Sequence, residues 1–125
     1  MKTQLIILLS CFFVLFACSG SDSYQGNWKA TTSNGEELEI IFEPKKMIIN
    51  KSGETDTVEY KQHEISYENG QRTYGIRTKD GRSYYIYFPI AKNSEQGVIL
   101  SGNNQPVYVI DREEHLSHDD LYRLD

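Results

Sequence analysis

With 125 residues, 13 basic and 18 acidic side chains and a net charge of −5, the chain suits one compact domain and is too short for two. The acidic balance argues against nucleic acid or an anionic membrane surface as partner, since both reward clustered Lys and Arg. Phosphate-loop, dinucleotide and Cys-x-x-Cys patterns are absent, and no serine sits in a nucleophile-elbow context. The expectation is a non-enzyme with no catalytic residues, metal or cofactor.

At the start of the chain, Lys2 is the only charge before Asp22. The apolar run Leu5–Phe16, broken only by Ser10 and Cys11, matches the core of a secretory signal, typically about 7–15 residues. A membrane-spanning helix needs about 20. The run ends in Leu15-Phe16-Ala17-Cys18, followed by the small, polar Ser19-Gly20-Ser21-Asp22-Ser23. This stretch resembles the lipobox of bacterial lipoproteins, in which the cysteine is lipidated and becomes the first mature residue. The resemblance implies a signal peptide over 1–17, a thioether-linked diacylglycerol on Cys18 and a flexible linker over 18–23. Two or three acyl chains of the palmitate kind, at about 0.8 kcal/mol per buried methylene, make such anchoring effectively permanent. Ser19 is similar to signals that permit passage to an outer membrane. The place implied is therefore the bacterial envelope, on the outer membrane, facing the periplasm or the cell surface. The other reading of the same bond is an ordinary secretory signal cut after Ala17. That leaves one unpaired cysteine in an oxidising compartment.

Lipidation accounts for both cysteines, because Cys11 leaves with the signal and Cys18 is spent on lipid. The mature domain then has no disulfide and holds together by burial and hydrogen bonding. The 125 residues less those 17 leave 108, and the loss of Lys2 takes the net charge from −5 to −6.

From Tyr24 onward the pattern is β. Gly26–Thr32 alternates small or apolar residues with polar ones, and Ser33-Asn34-Gly35 supplies a tight turn. Glu36–Phe42 follows, with Leu38, Ile40 and Phe42 on one face and Glu37 and Glu39 on the solvent face. Pro44 and Lys45-Lys46 break the chain before Met47–Asn50. The polar turn Lys51–Glu54 leads to Thr55–Lys61, with Val58 and Tyr60 sharing a face. Glu64–Glu68 reads as a further short strand with Ile65 and Tyr67 inward, closed by Asn69-Gly70. Gln71–Thr78 carries Tyr74 and Ile76 on one face, and Asp80-Gly81 turns the chain into Ser83–Pro89, apolar on both faces. Gly97–Ser101 and Pro106–Arg112 complete the series, with Ala91–Gln96 as a loop or lid. Eight or nine short strands with Asn-Gly and Asp-Gly turns predict an all-β antiparallel meander. Closure into a small barrel removes its edges, and a β-sandwich is the alternative. Ser117 with Asp120 resembles a capping box, with Leu116 and Leu121 as a staple. A short C-terminal helix is expected over 117–124, within a single domain over 24–125.

Gly26-Asn27-Trp28 on the first strand resembles the Gly-x-Trp opening of lipocalins. In that family the tryptophan closes the base of an eight-stranded up-and-down barrel, and a helix follows the barrel. The resemblance implies a cavity for a small apolar ligand. The residues themselves are equally met by Trp28 as a core anchor, with Gly26 easing the strand start.

Candidate chemistry is sparse. His115 and His118, among Glu113, Glu114, Asp119 and Asp120, have donors for a divalent ion, but read as a solvated acidic tail. Tyrosine is the more informative type. Nine are present, and Tyr85 and Tyr87, with Tyr74 on the hairpin partner, form the candidate binding strip. Tyrosine joins a large apolar face to a polar tip. The expected function is that of a membrane-anchored envelope lipoprotein, a monomeric domain that binds a protein partner or small ligand without catalysis. A lipocalin-like carrier of a small apolar ligand is one alternative. An inhibitor, immunity or exclusion factor is another.

Overall fold

The computed structural model describes residues 23–90, 93–117 and 119. Eight antiparallel strands follow one another around a closed barrel. They are β1 (Gly26–Thr32), β2 (Glu37–Phe42), β3 (Lys46–Lys51) and β4 (Glu54–Glu68). The series continues with β5 (Gln71–Thr78), β6 (Ser83–Phe88), β7 (Gln96–Ser101) and β8 (Pro106–Asp111). Every neighbour in the sheet is a neighbour in sequence, and β8 returns to β1 through pairs such as Ala30–Ile110 and Thr31–Val109. The meander is thus a barrel and not a sandwich. The signal segment, Cys18 and most of the expected helix over 117–124 lie outside the described residues.

The turns form as their residues demand. Ser52 and Gly53 both have positive φ, as do Asn69 and Gly70, which is the backbone of the two-residue hairpins that match strand twist. Inward positions recur every second residue. Leu38, Ile40 and Phe42 are buried on β2, and Ile86 and Phe88 on β6. Outward residues pair across neighbouring strands, as Lys29 does with Glu39 at 2.8 Å. Glu36 likewise forms an ion pair with Lys51.

Sequence alternation suggests two strands where the molecule has one. Thr55–Lys61 and Glu64–Glu68 are continuous in β4, joined through a bulge where the register with β5 shifts between Gln62 and Glu64. Gly75 lies opposite this bulge, and a Cβ there would come within 2.6 Å of the Glu64 side chain. The glycine makes room for the extra residue. After the bulge, Ile65 stands opposite Tyr74 and Tyr67 opposite Arg72. They keep the inward-facing side of the hairpin, but they are not buried as alternation predicts. Ile65 is 41% exposed and Tyr67 67%. The reason is the mismatch in strand lengths. β3 pairs with β4 only as far as Lys46 with Glu59, and Tyr60 N–H then donates to Lys45 O at 3.0 Å. Beyond that point β4 runs on with β5 as its partner, and among the described residues no strand pairs with its other edge.

The barrel interior is filled. Tyr24, just before β1, packs its ring 5.4 Å from Phe42 and 5.0 Å from Tyr74. Tyr60 lies 5.9 Å from Phe42, and Phe88 lies 6.0 Å from Tyr74 and 5.9 Å from Trp28. Edge-on and tilted rings at these separations add about 0.5–1.5 kcal/mol per pair beyond area burial. A small eight-stranded barrel encloses just enough room for its own side chains. Here Tyr24, Trp28, Ile40, Ile76 and Ile110 take it up.

Candidate functional site

The three tyrosines expected to form one strip do not share a surface. Tyr74 is fully buried and belongs to the core. Tyr85 and Tyr87 lie on the outside of β6, half-buried, opposite Leu100 and Val98 of β7. Strand alternation separates the two faces, and the β5–β6 register places Tyr85 opposite Gly75 and Tyr87 opposite Thr73. Val98 and Val109 are nearly dry on this outer wall, where Ile90, Leu100 and Leu116 pack against them. The segment after β8 therefore covers the exterior beside Tyr87. His115 lies against β1, its Nδ1 3.1 Å from Ala30 O, so the barrel wall holds it. His118 and Asp120 lie outside the described residues.

A second surface is assembled from three separate parts of the chain. Where β3 ends and β4 continues, an open groove of about 870 Å³ runs along β4. The turn after β2 supplies Lys45, β4 supplies Glu59, Lys61 and His63, β5 supplies Arg77 and the turn after it supplies Lys79. Four permanent cations thus line it with one carboxylate, and Glu59 is itself paired with Lys79 at 3.1 Å. The groove is basic on a chain whose net charge is −5. On its floor, Gln62 Oε1 is shielded from solvent and has no donor among the described residues. An unmet buried acceptor costs about 1–3 kcal/mol.

A third arrangement holds the start of the domain. Ser23 Oγ lies 2.9 Å from Tyr74 Oη and accepts from Arg72 Nη1 at 2.9 Å. Arg72 also donates to Ser94 Oγ at 3.0 Å and lies over the Phe88 ring. From the other side, Arg112 Nη2 donates to the carbonyls of Ser23 and Gln25, each at 2.8 Å. Two arginines forty residues apart, one on β5 and one just after β8, therefore fix Ser23 against the barrel mouth. Cys18 stands five residues before it.

Among the described residues, no group of three or more His, Cys, Asp or Glu side chains is placed to hold a metal ion. Comparison with protein-family models, with curated proteins and with solved structures finds no match to this chain.

The basic groove escapes a reading of the sequence because Lys45, Lys61, Arg77 and Lys79 are scattered among acids. Lys61 has Glu59 and Glu64 close by, and Lys79 is followed by Asp80. The one local signal is Pro44 with Lys45-Lys46, which ends a strand and leaves cations at the turn.

Proposed function

We propose that this protein is a lipid-anchored lipoprotein of the bacterial envelope that acts without catalysis. Its partner is a protein that lays an acidic, extended segment along β4. The observation that carries the reading is the groove bordered by Lys45, Lys61, Arg77 and Lys79 on an otherwise acidic chain. Local charge opposite to that of the whole molecule favours a partner of negative charge and speeds its approach. Past the end of β3, the edge of β4 has no strand partner among the described residues and lies beside those cations. An incoming amide would also satisfy Gln62 Oε1. The anchor on Cys18 keeps the domain beside membrane-bound partners, where effective concentration is high.

A carrier of a small apolar ligand has less support. The space that such a ligand needs is occupied by Tyr24, Phe42, Tyr60, Tyr74 and Phe88. An inhibitor, immunity or exclusion factor is a particular form of the partner-binding reading.

The test is photo-crosslinking in the native envelope from a reactive residue at His63, which lines the same groove. The expected result is capture of an acidic envelope protein, and loss of that capture in Lys61→Glu/Arg77→Glu with circular dichroism unchanged. Equal capture by the charge-reversed variant, or no cross-linked protein at all, overturns the reading.

A further inference from the structure

We infer that the β4–β5 hairpin rests in the interface of the bilayer that holds Cys18, with Ile65 and Tyr67 as the contacting side chains. The inference rests on the lipid-anchor part of the proposed function, and it adds a second membrane contact made by the folded domain. Ile65 and Tyr67 are the large hydrophobic residues left exposed among those described, at 41% and 67%. They are two apart on one strand and share a face. Glu64, Ser66 and Glu68 alternate with them, so the hairpin's acids project to its other side.

The position of this pair relative to the anchor decides what covers it. Ile65 pairs across the hairpin with Tyr74, and Tyr67 with Arg72. Tyr74 and Arg72 are the two β5 side chains that hold Ser23. Directly opposed residues have Cβ atoms about 4.5–5.5 Å apart, so the exposed pair lies beside the point where the linker enters the domain. From Ser23 to Cys18 is five residues, about 17 Å when fully extended and about 13 Å as a random coil. The acyl chains at Cys18 therefore draw the membrane surface to within that distance of Ser23, on the side where the hairpin lies. A tyrosine with its ring in the acyl boundary and its hydroxyl among headgroups suits that depth, and isoleucine beside it adds purely apolar area. Arg72, the nearest cation on this face, is already engaged with Ser23, Ser94 and Phe88. The contact is accordingly apolar and does not require anionic lipid.

The test uses the lipidated full-length protein in phosphatidylcholine vesicles, with the acylation of Cys18 established by mass spectrometry on the same sample. Tyr67→Trp and, separately, Ile65→Trp place a fluorophore on the hairpin, and Trp28, buried in the core, gives the parent baseline. Brominated acyl chains are expected to quench each variant about twofold more than the parent, with no loss of quenching in high salt. If Cys18 carries its lipid and neither variant is quenched, the hairpin does not touch the bilayer and this inference falls while the anchor stands. If Cys18 carries no lipid, both fall. A photo-reactive residue at Tyr67 that cross-links to a protein in the native envelope, and not to lipid, also overturns the inference.

Discussion

The Arg112 guanidinium carbon lies 3.7 Å from the centre of the Trp28 ring, covering it from the mouth of the barrel. The same group donates to the carbonyls of Asn27 at 2.9 Å and of Ser23 and Gln25 at 2.8 Å. Trp28 Nε1 in turn donates to Tyr24 O at 2.6 Å. The residue that follows the last strand thereby ties down the segment that precedes the first. Burial lowers the Arg112 pKa from the usual guanidinium value, and Glu95 partly offsets this. The group keeps its charge, since a guanidinium does not deprotonate in proteins.

Replacing Arg112 removes a stacked cation and three charge-assisted hydrogen bonds together. Arg112→Ala is expected to cost about 2–4 kcal/mol. Arg112→Lys should recover less than half of that, because an ammonium cannot reproduce the planar fork or the stacking. Urea unfolding followed by Trp28 fluorescence measures both, and equal midpoints for Arg112→Lys and the parent would refute the role assigned to the fork.

Gly97 on β7 has no room for a side chain. A Cβ there would lie 2.8 Å from Tyr87 O and 3.1 Å from the Phe88 ring. Gly97→Ala should therefore destabilise by about 1–3 kcal/mol through overpacking. Gly53 tests a different cause. A Cβ there meets nothing within 4 Å, but φ is +81°, so Gly53→Ala should cost about 1–2 kcal/mol from backbone strain alone. A thermal shift for Gly97→Ala no larger than measurement error would show that β6 and β7 are looser than described.

Tyr108 makes the alkaline side of the stability profile informative. Burial first, and then the neighbouring Tyr84, raise its pKa above the ordinary 10.0. The unfolded chain ionises near that ordinary value while the folded protein holds its proton. The stabilising contribution is therefore complete below pH about 10 and is lost as pH rises through the raised folded value. Tyr108→Phe should flatten the loss of stability in that window relative to the parent. Parallel curves for the two proteins between pH 9 and 11.5 would contradict the assignment.

If Cys18 carries the proposed lipid, Cys18→Ala is expected to move the protein from the detergent phase to the aqueous phase in a Triton X-114 partition. On the same proposal its unfolding midpoint should match that of the delipidated parent, since a lipidated Cys18 has no thiol for a disulfide. Retention of the variant in the detergent phase would show that the folded surface holds the membrane by itself.

The strands were legible because their causes are local. Leu38, Ile40 and Phe42 alternate with acids, and Asn69-Gly70 and Asp80-Gly81 adopt positive φ at one or both positions. Each of these is decided within a few residues. The continuity of β4 was not legible. The polar Gln62-His63 step reads as a break, and only Gly75, thirteen residues away, shows that it is a bulge. The pattern put Tyr74 on the same face as Ile76, and it is there, but grouping it with Tyr85 and Tyr87 needed a register that alternation within one strand does not supply.

By itself, then, the sequence determined the β class, the turn positions, the inward residues of most strands and the lipobox-like stretch ending at Cys18. Hydrophobic periodicity and turn chemistry act over short range, so they survive being read one residue at a time. Only the tertiary structure decided closure of β8 on β1, the overhang exposing Ile65 and Tyr67, the grip of Arg72 and Arg112 on Ser23, and the gathering of Lys45, Lys61, Arg77 and Lys79 into one groove. These depend on strand lengths, register and the shear of a closed barrel. Such quantities relate residues up to 89 positions apart, as between Ser23 and Arg112, and no local pattern encodes them.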